Sequence, residues 1–225
     1  MLVFAAKEFQ FPYHDLKFPG QYSQERILFV TREGEIILRL KLLALTLVVG
    51  IGAVLMILIL GSLDILGWSF TTLTPFLLIL WLLGGIFIGW WMKRVYQKTI
   101  FIITTKRLTK FIHTTPWSRY QMSLGLDQIV DTGAYQKGFF QIFTGLGYFV
   151  ARSAAGSVKN FKIINISFAE DLHNYVNKLL SMLHEHPEQI DRFRPFIPHL
   201  KGEARNEYVR KVAPEYGKPR KEFSN

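Results

Sequence analysis

Directly after the most apolar part of the chain come six cations that could hold an anion. Lys106, Arg107 and Lys110 gather around one predicted turn, and Arg119, Lys159 and Lys162 follow in the same stretch. Residues 93–180 hold 12 Lys and Arg against 4 Asp and Glu, which is +8 of the chain's net charge of +10. Guanidinium and ammonium groups pair with phosphate oxygens, and basic residues beside a membrane attract anionic lipid at about 1 kcal/mol each. Lys106, Arg107, Lys110 and Arg119 are therefore candidate ligands for an anionic lipid headgroup. A plainer account is favoured: the same residues satisfy the positive bias of cytoplasmic segments next to membrane spans, which requires no specific site.

Other chemistries find less support. The histidines, His14, His113, His173, His184, His186 and His199, are scattered. The one close pair, His184 and His186, is two apart, so on a helix its side chains diverge and no metal site is expected. Asp127 and Asp131 fall on a turn and on a strand, which suits a structural role for Asp127 better than paired acid–base work. No nucleophile elbow, P-loop or zinc-protease motif occurs, and the glycines at 145 and 147 lack the third glycine and the βαβ setting of a dinucleotide fold. The absence of cysteine removes disulfides, thiolate metal sites and a cysteine nucleophile. Phe139, Phe140, Phe143, Tyr148 and Phe149 could stack on bases, but a small barrel needs such residues as filling. No nucleic acid and no cofactor is expected. The segment Phe139–Phe143 remains a candidate exposed contact, able to dip into a bilayer or hold a partner.

These groups must be positioned by two kinds of element. Of the 225 residues 49% are hydrophobic, yet Leu42–Met92 contains one charge, Asp64, while the remainder carries every Lys and Arg. Leu42–Leu63 is uncharged for 22 residues, about 33 Å as a helix, enough for the hydrocarbon core. Thr74–Met92 repeats the pattern, opened by Thr74–Pro75 as cap and first-turn proline. Trp90 and Trp91 sit where an aromatic belt belongs, followed by Lys93 and Arg94 as interface anchors. Arg39 and Lys41 precede the first span, and Asp64–Leu73 has no Lys or Arg. Both termini are thus expected in the cytoplasm, with the chain crossing the membrane twice. About 40 mostly polar residues precede the first span, which argues against a signal peptide. Gly85 and Gly89 form a Gly-x-x-x-Gly that would pack helices closely; packing of the hairpin on itself is favoured over a homodimer contact. Neither span buries an ionisable group, which disfavours a transporter.

Around the hairpin, Arg26–Val30 and Gly34–Leu38 read as two short strands or an interfacial lead-in, after a turn at Pro19–Gly20. Thr99–Thr104 and Leu108–His113 form an antiparallel hairpin through a polar turn. Further strands follow at Trp117–Ser123, Ile129–Tyr135, Tyr148–Ser153 and Phe161–Ile166. Ser167 and Glu170 look like a capping box for a helix in which Phe168, Leu172, Val176, Leu179 and Leu183 recur at helical spacing. The parts suggest a small β-barrel or sandwich closed by one C-terminal α-helix. Beyond Pro187 disorder is expected, although Asp191–Ile197 could dock as a short motif or lie on lipid.

These residues carry a resemblance. FIITTKRLTKFIH, the stretch from MSLGLDQIVDTG to FKIINI and the helix SFAEDLHNYVNKLL resemble the bacterial pleckstrin-homology (PH) domain of YdbS-like membrane proteins. Thr104 and Arg107 stand for that family's Thr-x-x-Arg turn, Asp127 and Ile129 for its Asp-x-Ile, and Gly145 and Gly147 for its glycine-rich turn. Phe18–Gln21, Glu25 and the hairpin follow the family order, so residues 18–183 are covered. FFQIFTGLG departs from the usual Leu- and Arg-rich approach to the glycines, and Gly34–Glu35 replaces a common His-Trp pair. The resemblance implies a PH-like fold of seven strands plus a helix on a two-span anchor, and no established reaction. The expected organisation is an N-terminal segment 1–38, a transmembrane hairpin 39–93, a PH-like domain 97–184 and a tail 187–225. The expected function is a non-enzymatic, membrane-anchored interaction or scaffolding module whose partner is another protein or a second copy. Headgroup binding is the alternative, and an enzyme of unrecognised kind the third reading.

Overall fold

The computed structural model describes residues 17–65, 73–115, 117–154, 160–200 and 202–212. His14, Lys159 and the connection between the two apolar helices lie outside the described residues. The chain divides into two compact units, Glu35–Tyr96 and the residues on either side of it.

The first unit is a helical hairpin, α1 (Glu35–Ile65) and α2 (Thr74–Lys98). Both helices are long and apolar enough to cross a membrane, and their apolar stretches are not buried within the chain. Long runs of Leu, Ile and Val with no polar stripe suit an apolar solvent all round. The helices meet through small residues. A Cβ at Gly52 would lie 2.6 Å from the Trp81 ring, and one at Gly85 would lie 2.8 Å from Val49 Cγ2. Trp81 Nε1 donates to Val49 O at 2.9 Å, which ties the Trp81 side chain of α2 to the backbone of α1. Gly89 faces Leu45 at 3.5 Å, so Gly85 and Gly89 both pack within the hairpin, whereas Gly50 and Gly84 face open space.

The second unit is built from both sides of that hairpin. β1 (Ile27–Thr31), β2 (Ile100–Thr104), β3 (Arg107–His113) and β4 (Arg119–Gly125) form an antiparallel sheet in that order. A 3-10 turn at Leu126–Gln128 leads to a second antiparallel sheet of β5 (Ile129–Tyr135), β6 (Leu146–Ser153) and β7 (Phe161–Ser167). Between β5 and β6 lies the short helix α3 (Phe139–Thr144). The helix α4 (Ala169–Glu185) packs on β5 and β6 through Ala169, Leu172, Val176 and Leu179. The core between the layers holds Phe29, Phe111, Phe149 and Phe161 with the wholly buried Leu28, Ile100, Ile102 and Leu108. β1 and β2 are buried at every position, in keeping with their unbroken apolar runs ILFVT and IFIIT.

Several expectations change here. Among the described residues, the span expected as the domain, 97–184, holds six strands; the seventh, β1, comes from ahead of the hairpin and pairs with β2 through Phe29↔Ile103 and Thr31↔Phe101. Gly34–Leu38 is not a strand, because α1 begins at Glu35 and carries the apolar run straight into the helix. The fourth strand starts at Arg119, leaving Trp117 in the preceding turn. The capping box does not form: Ser167 is still paired with Leu146 in the sheet, and Phe168, left-handed at φ 60, turns the chain into α4 without a side-chain cap. Nor is all of the tail from Pro187 disordered. A 3-10 turn (Pro187–Arg192) and α5 (Gly202–Val212) flank an extended strap whose Phe196 is buried edge-on against Phe29, ring centroids 4.5 Å apart. Phe196 N donates to Leu28 O, and Arg26 Nη2 donates to Phe193 O, so the strap covers β1.

Candidate functional site

The antiparallel register gives the β unit two distinct ends. At one end Thr31 leads through three residues to α1, and α2 leads through Thr99 alone into β2. This junction end also carries the β3–β4 turn, where His113 N donates to Thr99 Oγ1, and the α3 connection between β5 and β6. The opposite end holds Phe18–Arg26, the β2–β3 turn Thr104–Arg107 and the 3-10 turn at Leu126–Gln128, tied by Leu126 N donating to Lys106 O.

At that opposite end Arg107 is committed to an internal ion pair. Its Nε and Nη2 donate to Glu25 Oε1 and Oε2, both at 2.9 Å, and Nη2 also donates to Gly20 O. The Glu25 side chain is 0% exposed, and Oε2 further accepts from Tyr22 N at 3.0 Å. Thr104 Oγ1 sits 2.7 Å from Glu25 Oε1 and accepts from the backbone of Lys106 and Arg107, which shapes the turn. Burial pushes the Glu25 carboxyl up, but the hydrogen bonds from Arg107, Tyr22 and Thr104 and the guanidinium charge outweigh it and hold its pKa below the ordinary value. The guanidinium also lies 4.7 Å from the Tyr22 ring centre and 5.7 Å from that of Phe18. These contacts make Arg107 a clasp between the segment before the hairpin and the turn after it.

The other three candidate headgroup ligands do not converge with it. Lys106 is exposed and lies 5.6 Å from the Tyr22 ring centre. Lys110, an odd number of residues from Arg107 along β3, projects to the other face, where Nζ donates to Lys162 O at 3.0 Å. Burial first and the Lys162 charge second depress its pKa. Arg119 pairs with His113 across β3 and β4 at the junction end, six strand positions or about 20 Å from Arg107. In the hairpin, Arg94 lies over the Trp90 ring at 5.6 Å, and Lys93 precedes it on the same helix. Trp90 and Trp91 both contact Phe87.

The acids and histidines are likewise dispersed. Asp131 pairs with Arg152 at 2.7 Å on the outer face of the second sheet, while Asp127 is exposed in the 3-10 turn. His173 Nδ1 and Asn177 Oδ1 both bond Thr132 Oγ1, at 2.8 and 2.5 Å, a polar tie between α4 and β5. Among the described residues no three His, Asp or Glu gather as metal ligands.

The most unusual surface lies at the junction end. Phe139 and Phe143 on α3 are 83% and 81% exposed, stacked 6.0 Å apart, with Ile142 also exposed. Gly138 at φ 91 and Gly145 at φ 67 bracket the helix in backbone conformations that side chains disfavour. Sequence reasoning placed an exposed contact at Phe139–Phe143 but missed what holds it. Gln141 Nε2 donates to Asn165 Oδ1, Asn165 Nδ2 donates to Glu33 Oε1, and Gly34 N donates to Asn165 O at 2.7 Å. Asn165 is left-handed at φ 55, a conformation that Asn tolerates better than most residues. Trp117, 75% exposed, and Tyr120 lie at the same end in and beside the β3–β4 turn. Comparison with known proteins finds no family model, no curated protein and no solved structure that matches the chain.

Proposed function

We propose that the chain is a membrane-anchored interaction and scaffolding module of the bacterial inner membrane. Its β unit is PH-like and cytoplasmic, and its hairpin crosses the bilayer twice. Antiparallel sheets of four and three strands in chain order, closed by α4, agree with the PH-like resemblance. The single observation that carries the reading is that β1 and β2 pair across the inserted hairpin. Two covalent attachments with linkers of three residues and one residue restrict the unit far more than a single flexible tether would. A domain folded from segments on both sides of its anchor is joined to it at two points, which suits a scaffold. Headgroup binding at the first hairpin turn is the weaker reading, because Arg107 is neutralised by Glu25 and Lys110 and Arg119 face elsewhere.

Two measurements test this. The chain has no cysteine, so single cysteines can be probed in intact cells with an impermeant maleimide. Position 70 should react from outside, and positions 127 and 189 only after lysis; the reverse pattern overturns the topology. Affinity purification of the full chain from solubilised membranes should return a stoichiometric companion protein or a second copy, lost when Glu25→Gln loosens the domain. A chain that returns alone and monomeric overturns the scaffolding reading.

A further inference from the structure

We propose that α3 is an interfacial wedge, seating Phe139, Ile142 and Phe143 at the boundary between headgroups and acyl chains of the leaflet in which the hairpin is anchored. The inference rests on the membrane-anchored reading above and adds a second, non-spanning contact with lipid. α3 inverts the arrangement of a helix on a soluble domain. Its polar Gln141 turns inward, donating to Asn165 and accepting from Lys137 N at 2.8 Å, while its large apolar side chains point out. Leaving stacked phenylalanines in water forgoes the transfer free energy that ordinarily buries them.

Three observations identify lipid as the occupant. First, the hydrogen bonds through Asn165 fasten α3 to Glu33 and Gly34, and Glu35 is the first residue of a helix long and apolar enough to span. α3 itself is therefore fastened to the residues where the chain passes into that helix. Second, Trp117 and Tyr120, exposed residues of the types enriched at membrane interfaces, lie at the same end of the unit. Third, the charge fits: Lys137 immediately precedes the wedge and Arg119 neighbours Trp117, as basic residues do beside anionic headgroups, within a segment of net charge +8.

Spin labels on single cysteines of the full chain, reconstituted in phosphatidylethanolamine–phosphatidylglycerol vesicles, test the proposal. Oxygen and a water-soluble nickel chelate would compete as relaxants. Labels at Phe143→Cys and, independently, Phe139→Cys should collide more with oxygen than with nickel, giving a positive depth parameter. A label at Asp127→Cys, at the far end, should give a negative one. Labels at Ile57→Cys and Ile86→Cys report on the spans. If 57 and 86 lie in lipid while 139 and 143 read like 127, the wedge is refuted and α3 faces water or a protein. If 57 and 86 are themselves open to nickel, the membrane-anchored reading fails, and the wedge with it.

Discussion

Replacing Glu25 by Gln should loosen the β unit at a predictable cost. The substitution keeps the shape of the side chain but sets an amide N–H2 among groups that all donate: Arg107 Nε and Nη2, Tyr22 N and Thr104 Oγ1. Breaking a buried ion pair from one side costs about 3–5 kcal/mol because the surviving charge is left uncompensated. Arg107 keeps the Gly20 carbonyl and the Tyr22 and Phe18 rings, and its side chain is 16% exposed, so about 2–4 kcal/mol is the better expectation. At about 2–4 °C per kcal/mol for a domain of this size, Tm falls by about 5–15 °C. The measurement is thermal unfolding of the full chain in detergent, followed by tryptophan fluorescence. pH supplies an independent check. The folded pKa of Glu25 is depressed below the ordinary 4.5, so its stabilisation is complete above that value and is lost as pH falls through the folded pKa. The gap between wild type and E25Q should therefore be constant near neutrality and close in acid. The double variant E25Q/R107M should recover part of the loss, since removing both charges leaves none stranded. A change in Tm of under about 1 °C in E25Q, or a gap that widens in acid, would refute the clasp.

Other perturbations probe the remaining elements. Phe196→Ala removes the wholly buried ring of the strap and should cost about 3–5 kcal/mol, read in the same unfolding experiment; an unchanged Tm would show that the strap is not part of the fold. Gly52→Leu should force Trp81 away from Val49 and destabilise the hairpin by about 1–3 kcal/mol, whereas Gly50→Leu, facing open space, should be neutral. Equal effects in detergent would contradict the helix contact. Burial first, then the charges of Lys98 and Arg119, depress the His113 pKa against one opposing backbone hydrogen bond. Its imidazole should titrate by NMR below the ordinary 6.5. Its contribution to stability should be present above 6.5 and be lost as pH falls through the depressed value. Titration at or above 6.5 would contradict this environment.

What is legible in the linear sequence is what depends on neighbours along the chain. The two apolar helices declare themselves because hydropathy over some twenty residues suffices to specify a span, and α4 because Leu172, Val176 and Leu179 recur at helical spacing. The strands after the hairpin emerge from β-branched runs between turn residues, to within a few positions. Contacts between distant segments are not legible in this way. Glu25 and Arg107 are 82 residues apart, with two apolar helices between them, and nothing local says that the segment before the hairpin supplies the edge strand of the sheet behind it. The tail reads as disordered because its charge and prolines outweigh a single Phe-Ile pair, and only the tertiary structure, through Phe29 and Tyr175, gives Phe196 a place to bury. Ser167 and Glu170 match a capping box, yet pairing with Leu146 keeps Ser167 in the sheet. The same limit applies to the candidate site. The sequence supplied cations and aromatics by type, while tertiary pairing turned Arg107 inward and Gln141 toward Asn165, leaving the phenylalanines outside. Local propensity is decided over a few residues, whereas the face a side chain presents depends on which distant backbone groups satisfy its hydrogen bonds.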